Sequence, residues 1–185
     1  MQFHSMILDE SLAYSGRELR SGWVARASGL DGDCGVGFMG PCSVATEDLV
    51  DLDDVRAGSY IESALMAHVI MEHPGCPIGT AVLRQRLLVC MLAGLLDGRG
   101  VPVRRDGDDL FVGNRKLTVS IAAPSSGSSL IHLGVNIDPS GAPVPAIGLE
   151  ELSVAPRALL SELLSRYGDE LHSCAHAETK VRSVP

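Results

Sequence analysis

Apolar and polar positions along the 185-residue chain change period several times. "QFHSMIL" (2–8) alternates loosely and predicts a first strand. "SGRELRSGWVARASGL" (15–30) reads as a loop leading to a short helix or a strand, and the pattern leaves both open. "GDCGVGFMGPCSV" (32–44) is glycine-rich and predicts a tight strand bounded by Gly40-Pro41. In "YIESALMAHVIMEH" (60–73), Ile61, Leu65 and Val69 recur at helical spacing. Ser59 with Glu62 offers a capping box, and Pro74-Gly75 a stop. "IGTAVLRQRLLVCMLAGLLDGRG" (78–100) predicts a second, mostly buried helix ending at Asp97-Gly98. The period then drops to two. "VPVRR", "DLFV", "KLTVSIA" and "LIHLGVNI" predict four successive strands. "SVAPRALLSELLSRYG" (153–168) predicts a last helix with Pro156 near its first turn and Gly168 near its end. The architecture expected is α+β: a mixed, largely antiparallel sheet flanked by helices. One domain would span 1–172, and the polar stretch 173–185 would fray as a tail.

The strands at 109–138 hold the candidate chemistry. Gly113-Asn114 suits a two-residue turn, which sets Phe111 opposite Lys116. A register centred on Ser126 then sets Lys116 opposite Asn136, Thr118 opposite Gly134, and Ser120 opposite His132. One face gathers Lys116, Thr118, Ser120, His132, Gly134 and Asn136. The other carries Leu117, Val119, Ile121, Ile131, Leu133, Val135 and Ile137. Gly134 leaves room in the middle of the polar face, where a ligand could approach. Solvent alone would also select lysine, threonine and serine for such a face.

Composition narrows the function classes. A formal net charge of -8 argues against non-specific nucleic-acid binding. Five cysteines with no C-x-x-C pair point to free thiols in a reducing, cytoplasmic setting. The N-terminus shows no signal-peptide pattern, and the apolar run around Leu87–Leu96 is short for a membrane span. The expectation is a soluble chain.

The stretch "DDLFVGNRKLTVSIA…IHLGVNID" resembles the core of the biotin and lipoate protein ligase superfamily. Its members carry an Asn-Asp-Leu strand, a tight turn, an Arg/Lys-Lys strand and a glycine-bearing strand ending in Asn. Asp109, Leu110, Lys116, Gly134 and Asn136 fall on those positions. Residues 14–150 also resemble a small, functionally uncharacterised family of that fold, through "GPCSV", "DLDDVRAGSYIESALMAH", "RQRLL", "RRDGDD", "KLTVSIA" and "IHLGVNID". The resemblance implies a core like that of class II aminoacyl-tRNA synthetases. It also implies that Lys116 meets the carboxyl of an acid and its acyl-adenylate, with ATP and Mg²⁺ as cofactors. An ammonium there neutralises charge on carboxylate and phosphate and orients the carbonyl. The chain departs from the ligases in having no G-R-G-R-x-G adenylate loop and in carrying Asp108 where the Asn stands, and no C-terminal ligase domain is expected.

Other constellations have competing readings. Cys42 is a candidate nucleophile, since octanoyltransferases of the superfamily use a cysteine and a lysine; a buried inert thiol is the commoner case. His68 and Glu72 would share a helix face with His73 adjacent, without forming a zinc-protease motif, and His68 alone could face the pocket. "HSCAHAE" (172–178) reads as an adventitious metal binder or as nothing, and Asp51, Asp53 and Asp54 as a solvated loop or a Mg²⁺ site. Arg84 and Arg86 cannot share a helix face. Arg104, Arg105, Asp108 and Asp109 lie beside the strands and are candidates for ligand contact; no dedicated metal site is expected.

Three functions follow. The first is a ligase-type enzyme acting on a small carboxylic acid or acyl-nucleotide, with Lys116 at the carboxyl and Asn136, His132, Ser120 and Arg104 lining the site. The second is a Cys42-dependent acyltransferase without ATP. The third is a non-catalytic small-molecule-binding module. The partners expected are the acid or nucleotide, an acceptor protein or amine, and a second copy of the chain, with no nucleic acid and no membrane.

Overall fold

A computed structural model describes residues 2–184. The elements in chain order are β1 (His4–Ile7), α1 (Trp23–Ser28), β2 (Cys34–Val44), a 3-10 turn (Thr46–Asp48), α2 (Leu52–Ala57), β3 (Ile61–Pro74) and α3 (Ile78–Asp97). They continue with β4 (Arg104–Asp106), β5 (Asp109–Val112), β6 (Arg115–Lys116), β7 (Thr118–Ser125), β8 (Ser128–Asp138) and α4 (Pro156–Thr179). Five strands form the main sheet in the order β1-β2-β3-β8-β7, and β4-β5-β6 form a small second sheet. All pairings are antiparallel except β1 with β2. The α+β expectation holds, and several details differ.

The first difference is β3. The stretch with helical spacing is the central strand, paired with β2 on one side and β8 on the other. Helices α3 and α4 cover one face of it, and the Tyr14–Val24–Phe38 cluster covers the other. A strand buried on both faces loses its apolar/polar alternation and reads as a nearly continuous apolar run. Such a run mimics a buried helix, and Ile61, Val69 and Ile70 supply the β-branched preference that favours the strand. Glu72 and His73 are pegs at its end. Glu72 accepts from the backbone N–H of Gly22 and from Ser21 and Ser128, while His73 bonds Asp33 and Tyr167.

The second difference is the β7–β8 register. Ser125 pairs Ser128 across a two-residue turn with Gly127 at φ 78°, so Val119 faces Gly134 and Ile121 faces His132. This register lies one residue from the one centred on Ser126, and such a slip turns a strand over. Thr118 and Ser120 therefore leave the polar face, and Val119 and Ile121 join it.

Leu117 is the joint that makes this slip compatible with Lys116. The backbone is outside any strand there. The Leu117 carbonyl turns to accept from the Asn136 N–H of β8, at 2.9 Å. The Leu110 N–H, which would have paired with that carbonyl, donates instead to the buried Thr118 Oγ1 at 2.8 Å. A Thr118→Val variant leaves that N–H buried without an acceptor. We expect it to cost about 1–3 kcal/mol, measured as a lower urea midpoint with an unchanged slope.

β2 also runs further than expected, straight through Gly40-Pro41 with a register shift between Gly40 and Cys42. A bulge is where a sheet tolerates proline. α3 is long and apolar enough, by length and composition, to cross a membrane. Its Leu88, Leu92, Leu95 and Leu96 are buried in the cluster under the sheet, as in the core helix of a folded domain. α4 continues past Gly168 to Thr179 and takes in much of the polar stretch from 173.

Candidate functional site

The sheet face opposite α3 and α4 holds a cavity of about 510 Å³. Its floor is Met66, Val119, Ile121, His132 and Asn136 from β3, β7 and β8. Residues 48–62, including α2, form one wall, Asp108, Asp109 and Lys116 a second, and 142–146 a third.

Lys116 is held there by its backbone. Its N–H donates to the Pro145 carbonyl at 2.9 Å, and its carbonyl accepts from Ile147 N–H at 3.0 Å. Asn136 Nδ2 donates to the same carbonyl at 3.3 Å. Asn136 is itself fixed, since its own carbonyl accepts from Leu149 N–H. The Lys116 ammonium lies 2.8 Å from Asp109 Oδ2, with the two side chains 29% and 27% exposed. Burial raises the Asp109 pKa; Lys116 pulls it back, and Asp108 and Asp54 push it further up. Ionised Asp109 is thus a carboxylate held at a cost, beside the ammonium a ligand would want.

Four residues before Asn136, in the middle of β8, His132 is 3% exposed and stacks on Tyr14, with ring centroids 3.9 Å apart and planes 11° from parallel. His132 Nε2 and His68 Nδ1 are 3.1 Å apart, and His68 Nε2 is 3.3 Å from the Gly40 carbonyl. Burial drives both imidazoles toward the neutral form. It takes His68 down to about 4, against the pull of the Gly40 carbonyl, and the His68 neighbour lowers His132 further.

The remaining sequence candidates divide. Asp108 lines the cavity and is tied to Gln85 at 2.8 Å and to Arg86 at 3.1 Å. Ser120 touches the cavity edge, but its hydroxyl is engaged by Gln85 and Asp108. Thr118 is absorbed by the joint at Leu117. Gly134 does leave space, and the protein fills it: a Cβ there would stand 2.8 Å from Met66 Cε and 3.1 Å from Val119 Cγ2. Arg104 and Arg105 do not line the cavity. Arg104 stacks over Phe111, 4.6 Å from the ring centroid, and pairs with Asp106, while Arg105 donates to the Gly107 carbonyl. His68 lies on β3 behind His132 and not on a helix. Cys42 is 1% exposed, and burial first, then Glu18, pushes its thiol up to about 12. Burial of this kind favours the neutral thiol over the nucleophilic thiolate.

Tyr14, Asp48, Glu62 and Met66 were not legible as site residues, and Asp51, Asp53 and Asp54 were legible only as an acidic run, not as a wall facing the strands. Tyr14 reaches the cavity through a backbone bridge to Cys42, a non-local contact with no local signature. The wall makes the lining strongly acidic. Asp48, Asp51, Asp53, Asp54, Glu62, Asp108 and Asp109 line it together with one ammonium, that of Lys116, while Arg17, Arg56 and Arg86 pair with Asp48, Asp53 and Asp108 from outside the lining. Among the described residues, no group of three or more His, Cys, Asp or Glu side chains is placed to hold a metal ion.

Comparison with known proteins bears on the family and the fold. An uncharacterised protein of Methanocaldococcus jannaschii is 31% identical over 173 residues, covering 90% of this chain and 78% of the relative. A solved protein of unknown function from Pyrococcus horikoshi superposes with a TM-score of 0.94 at 36% identity, over 99% of this chain and 100% of that one. More distant structures share the fold. A lipoate-protein ligase A bound with ATP has a TM-score of 0.57 at 14% identity, over 93% of this chain and 86% of that one. A biotin protein ligase from Aquifex aeolicus has a TM-score of 0.59 at 12% identity, over 94% and 71%. The fold is that of the biotin and lipoate protein ligases, and the match of residues 3–182 to the family described as "Domain of unknown function (DUF366)" shows that the chain belongs to that family.

Proposed function

We propose that this protein binds a small carboxylic acid, or its activated acyl form, with the carboxyl at Lys116, and presents it for acyl transfer. The observation that carries this reading is the placement of Lys116. It is the sole ammonium or guanidinium among the described lining residues, and both sides of its backbone are clamped. The shared fold with lipoate and biotin ligases supports the same reading. An ammonium fixed at the acyl oxygen polarises the carbonyl toward a nucleophile and is already in place when charge develops. Asn136 acts through the Lys116 carbonyl, as a positioning residue.

The lining does not fit the triphosphate of ATP, which the distant relative binds. A triphosphate needs several cations or N–H donors. Here it would meet one lining ammonium, already paired with Asp109, and a carboxylate-rich wall in which Asp48, Asp53 and Asp108 already engage Arg17, Arg56 and Arg86. The reading therefore rests on the acyl end of the substrate alone, and the acceptor is an amine or a protein side chain. Transfer through Cys42 is disfavoured by the burial of its thiol.

Asp109 competes with the ligand's carboxylate for Lys116. Asp109→Asn removes the competing charge while keeping the side-chain shape. We expect it to tighten binding of octanoate on the order of tenfold, the range of one charge-assisted hydrogen bond, read by isothermal titration. Weaker binding in this variant would mean that Asp109 is needed to aim the ammonium.

A further inference from the structure

The hydrogen-bond chain behind the cavity has only one consistent protonation pattern. The Gly40 carbonyl can only accept, so the His68 nitrogen facing it, Nε2, carries the proton. Neutral His68 then has a bare Nδ1, which must accept from His132. His132 Nε2 therefore carries its proton, and His132 Nδ1 is left with a lone pair. No described residue donates to that Nδ1. Every side-chain nitrogen or oxygen sealed from solvent among the described residues has a partner. His132 Nδ1 has none, so it is open to the space beside it, and His132 lines the cavity. Burial keeps both rings neutral, which keeps the lone pair available. The Tyr14 ring stacked on His132 holds the imidazole plane.

Resting on the acid-binding reading above, we propose that the cavity selects a carboxylic acid with a neutral O–H or N–H donor at its far end, accepted by His132 Nδ1. The two ends are set by the strand. Asn136, beside Lys116, and His132 are four residues apart on β8, roughly 13 Å along an extended chain. The surfaces between them are apolar: Met66, Val119 and Ile121. An unbranched acid with a polar terminus fits that sequence of environments. A plain alkyl end would cover the Nδ1 lone pair and leave it without a donor.

Octanoate and 8-hydroxyoctanoate differ only in the terminal hydroxyl and serve as probes. Wild-type protein is titrated with each by calorimetry, while the ¹⁵N resonances of the His132 ring are followed. In the free protein, Nδ1 should resonate as an unprotonated ring nitrogen and Nε2 as a protonated one. We expect 8-hydroxyoctanoate to bind several-fold more tightly, about the worth of one neutral hydrogen bond, and to shift Nδ1 where octanoate does not. A protonated Nδ1 in the free protein overturns the inference. So do equal affinities, or a preference for octanoate; because both acids then bind, the acid-binding reading survives. If neither acid binds at millimolar concentration, the acid-binding reading fails and takes this inference with it.

Discussion

Gly40→Ala is expected to lower stability by about 3 kcal/mol or more, the scale of overpacking plus lost backbone pairing. A Cβ on Gly40 would lie 1.8 Å from the Leu12 carbonyl oxygen and 2.6 Å from its carbon. Both are backbone atoms, so no rotamer change relieves the contact, and the strands must part. On one side, residues 8–14 run along β2 through Leu8 N–H to Gly37, Leu12 N–H to Met39 and Tyr14 N–H to Pro41. On the other, the Gly40 carbonyl anchors His68. Moving either loosens the cluster that forms the cavity floor. For a domain of this size the loss is a fall in melting temperature of roughly 6–12 °C. Gly79→Ala is the control, since a Cβ there meets nothing within 4 Å and the site is on α3. It should be neutral or stabilising. A Gly40→Ala protein as stable as wild type would show that the Leu12 segment is not seated on β2 as described.

Lys116→Ala is expected to weaken acid binding by about 10- to 100-fold, the worth of a hydrogen bond to a charged partner. The fold should survive, because the Lys116 backbone keeps its three hydrogen bonds whatever the side chain. Stability should instead become more dependent on pH. Burial already places the folded Asp109 pKa above its unfolded value, and the ammonium is the main force opposing that rise. Without it the pKa rises further. The protonated form is then the one the fold prefers. Its stabilisation is present at low pH and is lost as pH rises through the folded pKa. The variant should thus lose most stability relative to wild type near neutral pH and recover it on acidification, measured as melting temperature against pH. A variant that binds acids as wild type does would remove Lys116 from the site.

Local chemistry was legible where turns and period agreed. Gly113-Asn114 set Phe111 opposite Lys116, as found, and the apolar periodicity of 78–97 gave α3. What was lost lay where tertiary burial erased the period. β3 is covered on both faces, so its pattern carried no alternation to read. The register of β7 and β8 turned on two residues, Ser126 and Gly127. Read as a two-residue turn, they give the observed pairing; read as the middle of a longer loop, they turn Thr118 and Ser120 to the wrong face. Lys116 kept its face because the backbone breaks at Leu117, and no spacing rule announces such a joint. Tyr14 and the acidic wall of 48–62 meet the strands only through long-range contacts, which a single sequence does not display.

The most direct measurement is a crystal structure of the wild-type protein with octanoate. The carboxylate should lie within hydrogen-bond distance of Lys116 Nζ, with the alkyl chain running over Met66 toward His132. Octanoate seated elsewhere, with Lys116 still bonded to Asp109 alone, would contradict that placement.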